Sequence, residues 1–284
     1  MKVNRYADAS AFLEATESWL ATAEVENNVI LGIARSIADG SRTLKEAPYF
    51  AAVVDAGQIA CCAVRTPPHV VLVTGGPSLG LAALAGDAFD ALGQLPGVTG
   101  PCQASADFAQ AWLALAGGRA AVSMRQRLYK IERVDADWPP IPGRLREATS
   151  DDRSLAVKWS AAFSREAIPN RTSEAADTVD RHLKSGTLYL WDNGLPVTMC
   201  ASPAVGSHTG ARINLVYTPP ELRRRGYATA AVWSLTRKLL DGGRQHCCIY
   251  ADLANPISNS IYQRIGYRPV GDFEEYEFAK PHST

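Results

Sequence analysis

The chain has 284 residues, enough for two ordinary domains or one large one. Apolar residues make up 46% and charged residues 20%, and 29 basic side chains balance 29 acidic ones at a formal net charge of zero. These proportions suit a globular protein with a sizeable core; they exclude a global basic field for nucleic acid and an acidic solvating tail.

The segment 1–10 carries Lys2 and Arg5 with no long apolar stretch behind them, so it is not a secretory signal. Apolar residues then recur at helical spacing over 7–24 and 28–37, with Gly40 as a stop. Strands are predicted at 49–54 and 58–65, joined through Asp55-Ala56-Gly57 as a hairpin. Thr66-Pro67-Pro68 breaks the pattern before a strand at 69–74. A helix over 78–95, a short strand at Val98, a helix over 104–116 closed by Gly117-Gly118 and a strand over 122–134 complete the first half. Residues 135–143 hold Pro139, Pro140, Pro142 and Gly143, which sustain neither a helix nor a central strand. The domain boundary is placed there, giving domains 1–138 and 139–284.

The second half restarts with a strand at 144–148, helix caps in 149–152, and helices over 155–167 and 173–184. Strands at 187–191 and 195–205 flank Asp192-Asn193-Gly194, a hairpin signal. A strand at 211–218 stops at Pro219-Pro220, and a helix runs over 226–240. A strand at 245–253, a helix over 256–265 with Pro256 in its first turn, and strands at 267–270 and 273–278 close the chain. The two halves thus share one order of strands and helices, which makes two related α/β units the expected architecture. The adjacent pairs Cys61-Cys62 and Cys247-Cys248 lie in strand-like runs, where neighbours face opposite sides, so neither pair bridges itself. No C-x-x-C spacing suggests a metal, so no metal is expected; reduced core thiols fit a cytoplasmic protein. No apolar run reaches the ~18 residues that a membrane span needs.

The chemistry concentrates after the strand at 211–218. Arg223-x-x-Gly226-x-Ala228 fills a loop that feeds a helix, and a helix N-terminus presents unpaired N–H groups and partial positive charge. Gly226 and Ala228 let an anion approach the backbone, and Arg223, Arg224 and Arg225 add cationic donors. Taken singly, this pattern also suits a plain strand–turn–helix with solvated arginines. One strand later come Asn255, Ser258 and Tyr262, then Gly266-Tyr267. Asn255 stands where a strand hands over to a helix, and Tyr262 lies about two turns on, near the same face. A phenol there can donate a proton, although a packed helix tyrosine is the plainer alternative.

These two motifs in this order resemble the GNAT superfamily of acyl-CoA N-acyltransferases. The R/Q-x-x-G-x-G/A loop is met by Arg223, Gly226 and Ala228, and the later Asn, small residue, Tyr and Gly-aromatic pair by Asn255, Ser258, Tyr262, Gly266 and Tyr267. The resemblance implies an α/β (α+β) fold of two tandem GNAT-like units, each a mixed, mostly antiparallel sheet flanked by helices, with the first unit degenerate. It implies acetyl-CoA as cosubstrate and an unidentified amine as acceptor, with no nucleic-acid or membrane partner. The backbone from Arg224 through Arg225, Gly226, Tyr227 and Ala228 to Thr229 would hold the pyrophosphate, Val216 and Thr218 would pair with the pantetheine arm, and Asn255 would hydrogen-bond the pantetheine or phosphate region. Tyr262 would protonate the departing thiolate. Two departures stand out: Ala228 takes the place of a second glycine, and the strand before the loop offers Arg212 and Asn214 in place of an acidic base. The base is left open among His182, His246, Glu166 and water. In the first half Thr74-Gly75-Gly76-Pro77 replaces the Arg/Gly loop. A non-catalytic acyl-CoA-binding module, sensing or regulatory, is the alternative from another function class; a P-loop or dinucleotide-binding protein is disfavoured because neither glycine signature occurs.

Overall fold

The computed structural model describes residues 1–134, 141–167, 175–203 and 208–279, which group into two compact units. Unit 1 is Met1–Leu128 with Val270–Thr284, and unit 2 is Tyr129–Pro269. The expected boundary at 138/139 lies outside the described residues. The final strand groups with unit 1, whereas chain order alone assigns it to the second domain.

Unit 1 runs β1 (Lys2–Arg5), α1 (Ala9–Ala21), α2 (Asn28–Ala38), β2 (Tyr49–Asp55), β3 (Gln58–Arg65), β4 (Val71–Val73), α3 (Ser78–Leu92), β5 (Gly97–Pro101), α4 (Cys102–Ala116) and the start of β6 (Arg119–Ile131). Its sheet follows the order β1-β2-β3-β4-β5 with β13 (Arg268–Ala279) next to β5. All of these pairings are antiparallel except β4 with β5. Strands β2 and β3 read as unbroken apolar runs because both faces are covered. Ala51, Val53, Cys61 and Ala63 pack with Leu81, Leu84 and Phe108 of α3 and α4 on one face. Phe50, Ala52, Cys62 and Val64 pack with Phe12, Leu20 and Leu31 of α1 and α2 on the other. The two neighbouring cysteines thus point to opposite layers and are free thiols.

Unit 2 repeats the plan: β7 (Arg144–Glu147), α5 (Arg153–Ala167), α6 (Ala175–Lys184), β8 (Leu188–Asp192), β9 (Pro196–Ala201), β10 (Gly210–Arg212), β11 (Asn214–Tyr217), α7 (Tyr227–Asp241), β12 (His246–Asp252) and α8 (Pro256–Ile265). Strands β7, β8, β9 and β11 form an antiparallel sheet in the order β11-β9-β8-β7, while β10 runs parallel to β12. Arg146 braces the entry, reaching Asp152 and Asp192 at 2.7 Å each.

Three expectations change. Strand β1 has one apolar residue in Lys-Val-Asn-Arg and carries no readable alternation. The strands expected at 267–270 and 273–278 are one, β13, which runs without a break through Gly271 and Asp272. The strand expected at 211–218 is two, β10 and β11, for the reason that shapes the site.

Candidate active site

Around Ile213 the strand changes partner. Gly210–Arg212 pairs with His246–Cys248 of β12, and the ladder ends with the Ile213 N–H donating to the Cys248 carbonyl at 2.9 Å. From Asn214 onward the strand pairs with β9, at Ala201 and Met199, with a register shift between Asn214 and Tyr217. Leu215 takes φ +50 within that irregularity, uncommon for a side chain with a Cβ. Past Ile213, β11 and β12 no longer share a ladder, which leaves an edge of β11 for an extended partner. Val216 is half-buried on that strand and packs against the unit's main core cluster. Thr218 follows directly, its hydroxyl 2.8 Å from that of Thr198.

The connection 218–226 then delivers the chain to α7. Arg224 at φ +64 and Gly226 at φ +82 are both left-handed, which folds the loop tightly before the helix. Gly226 is the N-cap and supplies no side-chain cap, so the N–H groups of the first turn, Tyr227, Ala228 and Thr229, lack helix carbonyl partners. A Cβ at Gly226 would stand 2.9 Å from Cδ1 of Ile141, so the glycine answers both to its φ and to a close neighbour.

Of the three arginines, Arg223 folds back along the surface onto the start of the loop. Its Nε donates to the Thr218 carbonyl at 2.8 Å and its Nη2 to Glu166 at 2.6 Å, with the guanidinium 5.7 Å from the centre of the Tyr217 ring. Arg225 donates to the Glu221 carbonyl at 3.3 Å. Arg224 is exposed beside them. The first arginine of the motif therefore latches the loop to β11 and α5, a role that chain spacing does not reveal. Glu166, at the end of α5, also accepts from the Tyr217 hydroxyl at 3.4 Å, and burial followed by this carboxylate raises the Tyr217 phenol above its usual pKa.

Tyr262 sits in the same core cluster as Cys200, Ile213 and Ile249, with Val216, Leu222 and Tyr227 packed against it. The strand parting, the loop's apolar anchors and the phenol thus share one core. Tyr262 is 6% exposed and lies edge-on to Tyr129 and Tyr267 at 6.3 and 6.1 Å. Burial raises its pKa well above the usual value, with Cys200 adding and a hydrogen bond with Ser258 opposing, so the phenol holds its proton at neutral pH. Asn255 caps α8: its Oδ1 accepts from the Ser258 N–H at 3.1 Å, which leaves its Nδ2 and one Oδ1 lone pair for a ligand. Asn259, unread in the sequence, ties the same turn together by donating to the Asp252 and Asn255 carbonyls and accepting from Tyr129 at 2.8 Å.

The histidines raised as bases are engaged elsewhere. His182 Nδ1 is 2.7 Å from the Thr187 hydroxyl, and burial, with Arg181 and Arg212, lowers its pKa to about 4. His246 opens β12, packed against Gly210 at the paired end of the ladder. Among the described residues no group of three or more His, Cys, Asp or Glu could hold a metal, and no helix is long and apolar enough to cross a membrane.

Comparison with known proteins bears on the fold. Residues 197–278 match the family described as FR47-like protein. A tandem GNAT protein from the clavulanic acid biosynthesis pathway superposes over 98% of each chain, with TM-score 0.58 and 10% identity. A GCN5-related N-acetyltransferase from Sphaerobacter thermophilus covers 98% of this chain and 96% of its own, with TM-score 0.61 and 17% identity. A Drosophila protein covers 98% of both chains, with TM-score 0.69 and 11% identity. A search of the curated proteins returns no match. The fold is that of the GNAT superfamily, along the whole chain.

Proposed function

We propose that the chain moves an acetyl group from acetyl-CoA to an amine, in the cytoplasm, with unit 2 as the active unit. One observation carries the reading: β11 leaves β12 beside the uncapped first turn of α7, where backbone N–H groups and arginines gather. Such a turn suits a diphosphate, and a free strand edge suits the amide-bearing pantetheine arm. The backbone from Arg224 to Thr229 holds the phosphates, Val216 and Thr218 pair with the arm, and the Asn255 Nδ2 stands near the turn of α8. The amine nitrogen bonds to the acetyl carbon as the C–S bond breaks. A backbone N–H of the parted strand polarises the carbonyl, the sulfur takes the Tyr262 proton, and the proton shed by the amine nitrogen passes through water and restores the phenol.

A non-catalytic acyl-CoA-binding module is the second reading. It is favoured by the absence of any carboxylate on β10 and β11, where Asn214 stands mid-path with a buried Oδ1 that has no hydrogen-bond partner among the described residues.

Calorimetric titration with acetyl-CoA tests the cofactor site. Wild type is expected to bind one equivalent per chain, and Gly226→Asp to bind at least about a hundredfold more weakly, because it adds a negative charge to the loop that would hold the diphosphate and forces a Cβ against Ile141 at a left-handed φ. No binding by wild type would sink both readings.

A further inference from the structure

Unit 1 contains a cavity of about 290 Å³ at the ends of β4 and β5, under the connection from α1 to α2. That volume lies at the small end of ligand pockets. Its chemistry is opposite to that of the α7 loop. Trp19, Thr22, Glu26 and Asn27 line it from the helix connection, and Thr74 and Gly75 from the end of β4. None of the lining residues is Lys or Arg. Both hydroxyls spend their hydrogens on backbone: Thr22 on the Trp19 carbonyl at 2.7 Å and Thr74 on the Gly75 carbonyl at 3.0 Å. Asn27 is 6% exposed and its amide is oriented by donation from Nδ2 to the Leu20 carbonyl at 3.0 Å. Its Oδ1 accepts no hydrogen bond from a described residue and is not among the buried atoms without a partner, so it is open to solvent and can accept from a ligand in this space. The Glu26 carboxylate makes no ion pair or hydrogen bond with a described residue. A carboxylate, an amide oxygen and the Thr22 hydroxyl oxygen beside an indole give the space more acceptors than donors, although the Thr74 oxygen already accepts from the Cys62 N–H at 2.9 Å.

We propose that this cavity binds a small organic cation, an alkylammonium with a compact apolar body. The ammonium hydrogens would meet Glu26 and the Asn27 Oδ1, and the body would lie against Trp19. An anion such as a CoA diphosphate is the wrong complement, for no cationic side chain lines the space. The cation would bind without reacting, so unit 1 acts as a recognition site independent of the transferase reading.

The test is titration of the full chain with phenethylamine at neutral pH, where it is an ammonium, alongside its neutral counterpart 2-phenylethanol and inorganic phosphate. Glu26 is exposed, so Glu26→Gln removes charge without disturbing the core. Phenethylammonium is expected to bind wild type, about tenfold more weakly to Glu26→Gln and several-fold more weakly to Trp19→Leu. Gly226→Asp is expected to leave that affinity unchanged. The proposal falls if phenethylammonium does not bind at millimolar concentration, if Glu26→Gln binds it as well as wild type (which places it elsewhere), or if 2-phenylethanol or phosphate binds as tightly.

Discussion

Units 1 and 2 share an order of strands and helices but differ at three places, and those places separate what a fold needs from what a site needs. The connection from β4 to α3 is the short run 74–77, without a cation, while that from β11 to α7 is the longer 218–226, with three arginines and two left-handed residues. Strand β4 pairs with β5 at Val71 and Leu72 as an ordinary parallel ladder, whereas β11 parts from β12 past an irregular Leu215. The seventh residue of α8 is Tyr262, and the seventh of α4 is Phe108. Packing accepts either ring; only one can give up a proton. The layers of unit 1 therefore form through hydrophobic patterning, with neither an arginine loop at 74–77 nor a phenol at the seventh residue of α4.

The largest expected effect comes from removing the oxygen that separates the two helices. Tyr262→Phe should lower turnover by about 10²- to 10⁴-fold if the phenol is the general acid, while acetyl-CoA affinity stays within a few-fold of wild type. Steady-state kinetics with an accepted amine, beside calorimetry, would read both. The reciprocal Phe108→Tyr should confer no activity on a chain carrying Tyr262→Phe, because unit 1 has no loop to seat the cosubstrate. Unchanged turnover in Tyr262→Phe would remove Tyr262 from the chemistry; acetyl-CoA binding with no turnover in wild type would favour the binding module.

What could be read from the sequence follows the same division. Helices α7 and α8 and the Arg223-x-x-Gly226-x-Ala228 loop were legible because a few residues at fixed spacing set a backbone shape. Strands β2 and β3 were legible as apolar runs joined by a turn. The parting at Ile213 was not, since a strand that exchanges β12 for β9 looks in sequence like one continuous strand. The partners of Arg223 were equally hidden, because Glu166 stands 57 residues away. The placement of β13 with unit 1 depends on pairing to β5, a contact that no local pattern encodes.

A second difference can be sharpened by pH. His182 of unit 2 is buried at 8% exposure, whereas the described histidine of unit 1, His69, is half-buried. Burial, with Arg181 and Arg212 adding, takes the folded pKa of His182 from 6.5 down to about 4. Between those values the unfolded chain binds the extra proton, so stability falls as pH drops from about 6.5 toward 4, by at most roughly 3 kcal/mol. Urea unfolding at pH 7 and pH 4.5 should show this loss in wild type and a smaller one in His182→Gln. Equal losses in both would assign the acid sensitivity to other groups.

The smallest expected effect concerns the latch that unit 1 lacks. Glu166 and Arg223 are 47% and 42% exposed at the side chain, so their 2.6 Å ion pair is screened by solvent. An exposed pair of this kind contributes about 0.2–1 kcal/mol. Glu166→Gln should therefore weaken acetyl-CoA binding by only about two- to fivefold, with turnover and its pH profile unchanged, since the loop also keeps the Arg223 bond to the Thr218 carbonyl. The opposite split would say more. A fall in turnover of a hundredfold or beyond, with acetyl-CoA affinity preserved and the acidic limb of the pH profile lost, would make Glu166 the base that β10 and β11 do not carry. The carboxylate is placed for either part, because it touches the loop through Arg223 and the parted strand through Tyr217. Only the division between affinity and turnover tells a tether from a proton acceptor.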